Sequence, residues 1–225
     1  MDEPSTSAPP ALNAKVVGLV YLLYFVLAIG ASFVGPHVAV QDAAALQASI
    51  SSNEAGFTLA RSLDVLSTGV YMGVAVLLSM LLSPAGPTLA RLAQVFGAAG
   101  CTIQIGASLL RVAPIIVYHL SPAISGLPEQ ELSGIAFLLF SVSAQGLRVA
   151  LVFFGTFCVL TGMLIVRSTF MPRILGWLLI VAGVGWLTFV WAPLASVLSA
   201  VVLPFGFLAE LLLMLWLVFR GVRRS

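Results

Sequence analysis

Residues Val149 to Leu194 read VALVFFGTFCVLTGMLIV-R-STFMP-R-ILGWLLIVAGVGWLTFVWAPL. The first run, Val149 to Val166, holds 18 uncharged residues, and the second restarts at Ile174 after Arg173. A helix rises ~1.5 Å per residue and a bilayer core is ~30 Å thick, so either run is long enough to cross a membrane. Ser168 to Pro172 make a tight turn with Arg167 and Arg173 at its ends. The pair is a transmembrane hairpin, and its arginines place the turn on the cytoplasmic side. Every other segment is oriented from it.

Composition agrees. The 225 residues are 60% hydrophobic and 8% charged, whereas a soluble domain carries about 25% charged residues. So few charges cannot build a water-facing surface, and the partner that composition demands is the lipid bilayer. The apolar runs are continuous and do not alternate, which argues against a β-barrel. The fold class expected is all-α: a polytopic bundle of six transmembrane helices with one short external amphipathic helix. A net charge of +2 points to no nucleic-acid partner. Cys101 and Cys158 fall inside apolar runs and read as small buried side chains.

Residues 1–13 are expected to be a disordered cytoplasmic N-terminus. Asp2 and Glu3 stand where a signal peptide would be basic. Residues 14–220 form a single transmembrane domain, and residues 221–225 a basic cytoplasmic tail. The first span is Val16 to Gly35, ended by Pro36. In His37 to Gly56, apolar residues such as Leu46 and Ile50 alternate with Asp42, Gln47 and Asn53, as in a helix lying on the membrane surface. A plain loop is the alternative. The second span, about Phe57 to Leu82, carries Gly69 and Gly73 as a small-residue pair for close helix contact. The third runs from Thr88 to about Arg111, with Pro114 expected to end it and Val112 to Glu131 to form a second long connection. Leu132 to Val166 would span ~52 Å as one helix. It is expected to project beyond the membrane unless it breaks near Gly146. Ile174 to about Ala192 and Ser196 to Phe219 complete six spans.

The cations test this count. Lys15, Arg91, Arg167, Arg173, Arg220, Arg223 and Arg224 gather on one side, and Arg61, Arg111 and Arg148 on the other. Seven against three predicts both termini in the cytoplasm and both long connections outside.

Val152-Phe153-Phe154-Gly155, Cys158, Gly162, Leu164-Ile165, Arg167-Ser168 and Pro172-Arg173-Ile174-Leu175-Gly176 form a pattern. It resembles a bacterial multi-pass membrane family, domain of unknown function 4386. Asp42 to Ala44, Asn53-Glu54, Phe57, Asp64, Arg91, Glu210-Leu211 and Leu215-Trp216-Leu217 fit the same resemblance. It implies an integral protein of the bacterial inner membrane, with no activity attached.

Soluble-enzyme motifs are absent: there is no H-E-x-x-H, C-x-x-C, G-x-S-x-G or P-loop. No cofactor or metal is implied. His37 and His119, in the two connections, are too few for a site without a supporting cluster. Counted from the inner helix ends, Asp64, Arg111 and Arg148 all lie ~28 to 30 Å up, at the outer interface, with Arg61 higher. Arg61 and Asp64 are i, i+3 neighbours and can pair. The plain reading of these four is an anchoring rim of snorkelling arginines. The functional one is an outward vestibule for an anionic solute.

Glu210 differs. Ten residues before Arg220, it sits ~15 Å deep, near the midplane. Tyr24, Tyr71 and the two cysteines share that level, with Gln104, Thr102 and Thr161 within reach in depth. Loss of water disfavours a carboxylate there, so a neutral acid bonded to Gln104, Thr102 or a tyrosine such as Tyr71 is expected. Such a bond either locks helices together or carries a proton. Three classes of function follow: a small-solute or proton-linked carrier, a non-catalytic membrane subunit or docking protein, and an intramembrane enzyme. The last needs several catalytic groups at one depth, and the chain offers too few. No inverted repeat is visible; a homo-oligomer would supply a missing half.

Overall fold

A computed structural model describes residues 12–35, 41–120 and 126–220. It is helical throughout, with no strand among the described residues. In order come α1 (Ala14–Val34), α2 (Ala43–Ser52), α3 (Glu54–Leu82), α4 (Pro87–Leu120), α5 (Glu129–Arg167), α6 (Arg173–Leu187) and α7 (Ala192–Phe219). All except α2 are long and apolar enough to cross a membrane, six in all. Short 3₁₀ turns at Ser83–Ala85 and Thr188–Val190 follow α3 and α6. The expected disorder of residues 1–11, the tail at 221–225 and His37 lie outside the described residues.

Side chains and prolines set the starts. Asn13 Oδ1 accepts the Lys15 N–H at 3.0 Å, ahead of α1. Asp42 Oδ1 accepts the Ala45 N–H at 2.7 Å and caps α2. Asn53 Oδ1 accepts the Gly56 N–H at 2.9 Å in the first turn of α3. Proline opens α4 and stands in the first turn of α7, where no N–H is needed.

Three expectations about the spans change. Pro114 does not end α4, which continues to Leu120, and α5 already begins at Glu129. The long second connection is therefore mostly helix. A proline removes one backbone bond, and neighbouring groups make up that loss in a membrane helix; Pro204 sits inside α7 in the same way. Next, α2 does not offer its apolar side to lipid. Leu46 and Ile50 are buried with Phe57 and Ile115, and Tyr118, Phe137 and Phe140 pack against them. Last, Gly69 and Gly73 make no close contact, since a Cβ at either would meet nothing within 4 Å. The long run before Arg167 is one unbroken helix through Gly146, 39 residues in α5. At ~1.5 Å per residue that is about 58 Å, nearly twice the bilayer core.

The described parts of Met1–Tyr24, Val70–Cys101 and Arg148–Ser225 make one compact unit, and Phe25–Gly69 with Thr102–Leu147 a second. In the first unit the glycines of the hairpin do the packing. A Cβ on Gly155 would lie 2.7 Å from the Gly183 carbonyl oxygen, and one on Gly176 2.6 Å from that of Gly162. The pairing order is reversed along the two helices, so α5 and α6 run antiparallel with their backbones in direct contact. Only glycine permits this approach.

Candidate functional site

Glu210 is the buried acid of the first unit, 4% exposed. Three helices each bring it one polar side chain. The Tyr21 hydroxyl of α1 donates to Oε2 at 2.7 Å, and the Tyr71 hydroxyl of α3 donates to Oε1 at 2.8 Å. The Cys158 thiol of α5 lies 3.6 Å from Oε1. All three partners are neutral, and none is a basic side chain.

Small residues make this convergence fit. A Cβ on Gly18 would stand 2.7 Å from the Val218 amide nitrogen, so α1 lies directly on the α7 backbone just below Tyr21. A Cβ on Gly100 would strike the Phe154 ring at 2.8 Å, and one on Gly97 would meet the Phe157 ring at 3.1 Å. Those two glycines of α4 leave room for rings that stand edge-on to Tyr71, with centroids 5.4 Å and 6.1 Å away. Tyr24 closes the group with its ring 4.7 Å from that of Tyr71. The carboxyl group thus sits among aromatic rings, and its hydrogen-bond partners among the described residues are two phenols and a thiol.

This set can serve both protonation states. An ionised Glu210 has two phenols and a thiol to donate to it. A neutral Glu210 has one O–H, and a phenol oxygen can rotate to accept it. No backbone change is needed to pass between them.

Tyr71 and Glu210, named together from the sequence, meet here. Gln104 and Thr102 belong to the second unit. Tyr21 was not singled out by sequence reasoning, although Tyr21 and Tyr24 are three apart on one helix and share a face. Cys158, a small buried side chain that the sequence places at the level of Glu210, is a contact of the acid.

The residues expected at the outer rim are differently arranged. Arg61, Asp64 and Arg111 lie in the second unit and Arg148 in the first, where it is exposed. Arg61 and Asp64 form no ion pair. The Asp64 carboxylate instead accepts the Ser108 hydroxyl at 2.8 Å, tying α3 to α4. The Arg61 guanidinium lies 5.8 Å above the Phe57 ring, and its Nε is buried without a hydrogen-bond partner. Arg111 Nε donates to Ser143 Oγ at 3.4 Å, and its guanidinium lies 5.5 Å above Phe140. Each guanidinium thus lies over an aromatic ring at cation–π distance.

In the same unit His119 Nε2 and Glu54 Oε1 are 2.7 Å apart, beside a cavity of about 230 Å³ that Gln47, Tyr118 and Glu129 also line. Among the described residues no group of His, Cys, Asp and Glu side chains could hold a metal ion.

No curated protein and no solved structure matches the chain. A family model does, over residues 16–221, described as a domain of unknown function (DUF4386). That match takes in the six apolar helices except the first two residues of α1, together with Tyr21, Tyr71, Cys158 and Glu210, and the chain belongs to the DUF4386 family.

Proposed function

We propose that this integral membrane protein is a proton-linked carrier of a small solute, with Glu210 as the group that takes up and releases the proton. The observation that supports it is the carboxyl group 4% exposed and bonded, among the described residues, to Tyr21, Tyr71 and Cys158. A buried acid beside an arginine would be held in one charge state. One among phenols has partners for both states, and ionisable groups inside membranes are costly enough to mark ion or proton pathways. The stacked arginines Arg61 and Arg111 add positive charge in the second unit, which suits an anionic solute. The same proposal sets the protein in a bacterial inner membrane with both termini and the Arg167 to Arg173 turn in the cytoplasm, on the strength of the seven-to-three cation bias.

The test uses proteoliposomes loaded with a pH-sensitive dye and a panel of small organic anions outside. Wild-type protein should move protons with at least one solute, and Glu210→Gln should fold but move none. A Gln variant that folds and performs as the wild type would reduce Glu210 to a hydrogen bond between helices. That result would favour a non-catalytic membrane subunit or docking protein, with oligomerisation or a membrane partner as its role.

A further inference from the structure

The first unit holds a second polar feature, far in sequence from Glu210. A cleft of about 570 Å³ opens between the end of α3 and the start of α4, lined by Ser79, Met80, Ser83, Pro87, Arg91 and Gln94 among others. It lies where two membrane-crossing helices end at their shared turn, hence at a membrane surface.

Three observations there point to one chemistry. Ser79 is 3% exposed, lines the cleft, and its hydroxyl has no hydrogen-bond partner. Among the buried serines described, Ser49 of α2 shares this state. Ser83, one turn on, donates to the Met80 carbonyl at 2.8 Å, and Ser168 donates to that of Ile165 at 2.8 Å. Arg91 is exposed at the cleft and has no acidic partner among the described residues. Pro87 and Arg91 belong to the first turns of α4, the positive end of a 34-residue helix. A buried donor, a guanidinium and a helix N-terminus call for an anion with several acceptor oxygens. The volume far exceeds a carboxylate and suits a phosphate ester. Met80, 53% exposed at the rim, offers apolar contact to an attached chain.

We propose that this cleft binds a phosphate-bearing anion, with Arg91, the α4 N-terminus and the Ser79 hydroxyl as its binding groups. The phosphate comes from a lipid headgroup or from a free phosphate compound. The site stands apart from Glu210, and its fate does not depend on the carrier reading.

The test is thermal unfolding of the full chain in a neutral detergent, titrated separately with dihexanoyl phosphatidylglycerol, dihexanoyl phosphatidylcholine and inorganic phosphate. Phosphatidylglycerol should raise Tm saturably. If inorganic phosphate does so too, the natural source is a free phosphate compound; if it does not, the source is a lipid. Arg91→Gln should weaken the apparent affinity about tenfold, the scale of one lost charge-assisted hydrogen bond. Ser79→Ala should leave the unliganded Tm unchanged or raise it, because it removes an unsatisfied hydroxyl, yet still weaken binding. Arg173→Gln, which removes a cation elsewhere, should bind as the wild type. The proposal falls if neither phosphatidylglycerol nor phosphate shifts Tm, or if phosphatidylcholine shifts it equally. It also falls if Ser79→Ala and Arg91→Gln bind unchanged.

Discussion

The Tyr71 hydroxyl lies 2.8 Å from Glu210 Oε1, across 139 positions of sequence, with both side chains buried. This bond joins α3 to α7 inside the first unit. Removing its donor by Tyr71→Phe should cost about 0.5–1.5 kcal/mol in unfolding free energy, the usual net worth of one such bond. Tyr21→Phe should cost a similar amount. The diagnostic readout is infrared: each variant should shift the carboxyl stretching band that Glu210→Gln removes. A band unchanged in both Phe variants would mean the phenols do not touch the acid.

Glu210→Ala should be worse than Glu210→Gln. The Gln side chain keeps volume and an acceptor for one phenol. Ala leaves two buried phenols unpaired and opens a void, a loss of about 2–5 kcal/mol. Comparison of the two Tm values against wild type checks the ranking, and equal losses would contradict it.

The hairpin seam gives a prediction independent of any function. Gly155→Val should destabilise strongly, by about 1–3 kcal/mol or more, because even its Cβ would press on the Gly183 carbonyl. Gly73→Ala, at a position with open space around it, should change Tm little or raise it through better helix propensity. Detergent melts of the two variants should therefore differ in sign or by several degrees.

Around Asp64 a pair of double-mutant cycles separates two pictures. Asp64 and Ser108 should couple by about 0.6 kcal/mol, the mean for hydrogen bonds between membrane helices. Asp64 and Arg61 should be additive, since the carboxylate is turned to Ser108 and the guanidinium to Phe57. Coupling of Asp64 to Arg61 that exceeds its coupling to Ser108 would restore the i, i+3 ion pair.

Topology is open to chemical labelling in a background of Cys101→Ser and Cys158→Ser. Ser51→Cys, on the exposed side of α2, should react with an impermeant reagent from outside intact cells. Thr169→Cys should react only after permeabilisation; it is exposed in the turn, whereas Ser168 is 2% exposed and would report poorly. The opposite pattern would invert the proposed orientation.

The chain by itself determined the number of crossings, because an uncharged run of sufficient length has only one stable environment, and Pro172 with its flanking arginines marks where the hairpin turns. It also singled out Glu210, since one acid in an apolar run stands out without any structure. Boundaries were less legible. The rule that proline ends a helix fails at Pro114, where the helix continues through one missing bond. The rotation of each helix about its axis was not legible at all. In water an apolar stripe shows which side faces inward. In a membrane both lipid and protein interior are apolar, so α1 and α7 carry no such stripe. Only tertiary packing therefore decided that Tyr21 and Cys158 face Glu210. Packing likewise decided that Asp64 turns to Ser108 rather than Arg61, and that Gly155 and Gly183, not Gly69 and Gly73, bring backbones together: contacts between helices are set by matched shapes from distant stretches, which no single stretch encodes.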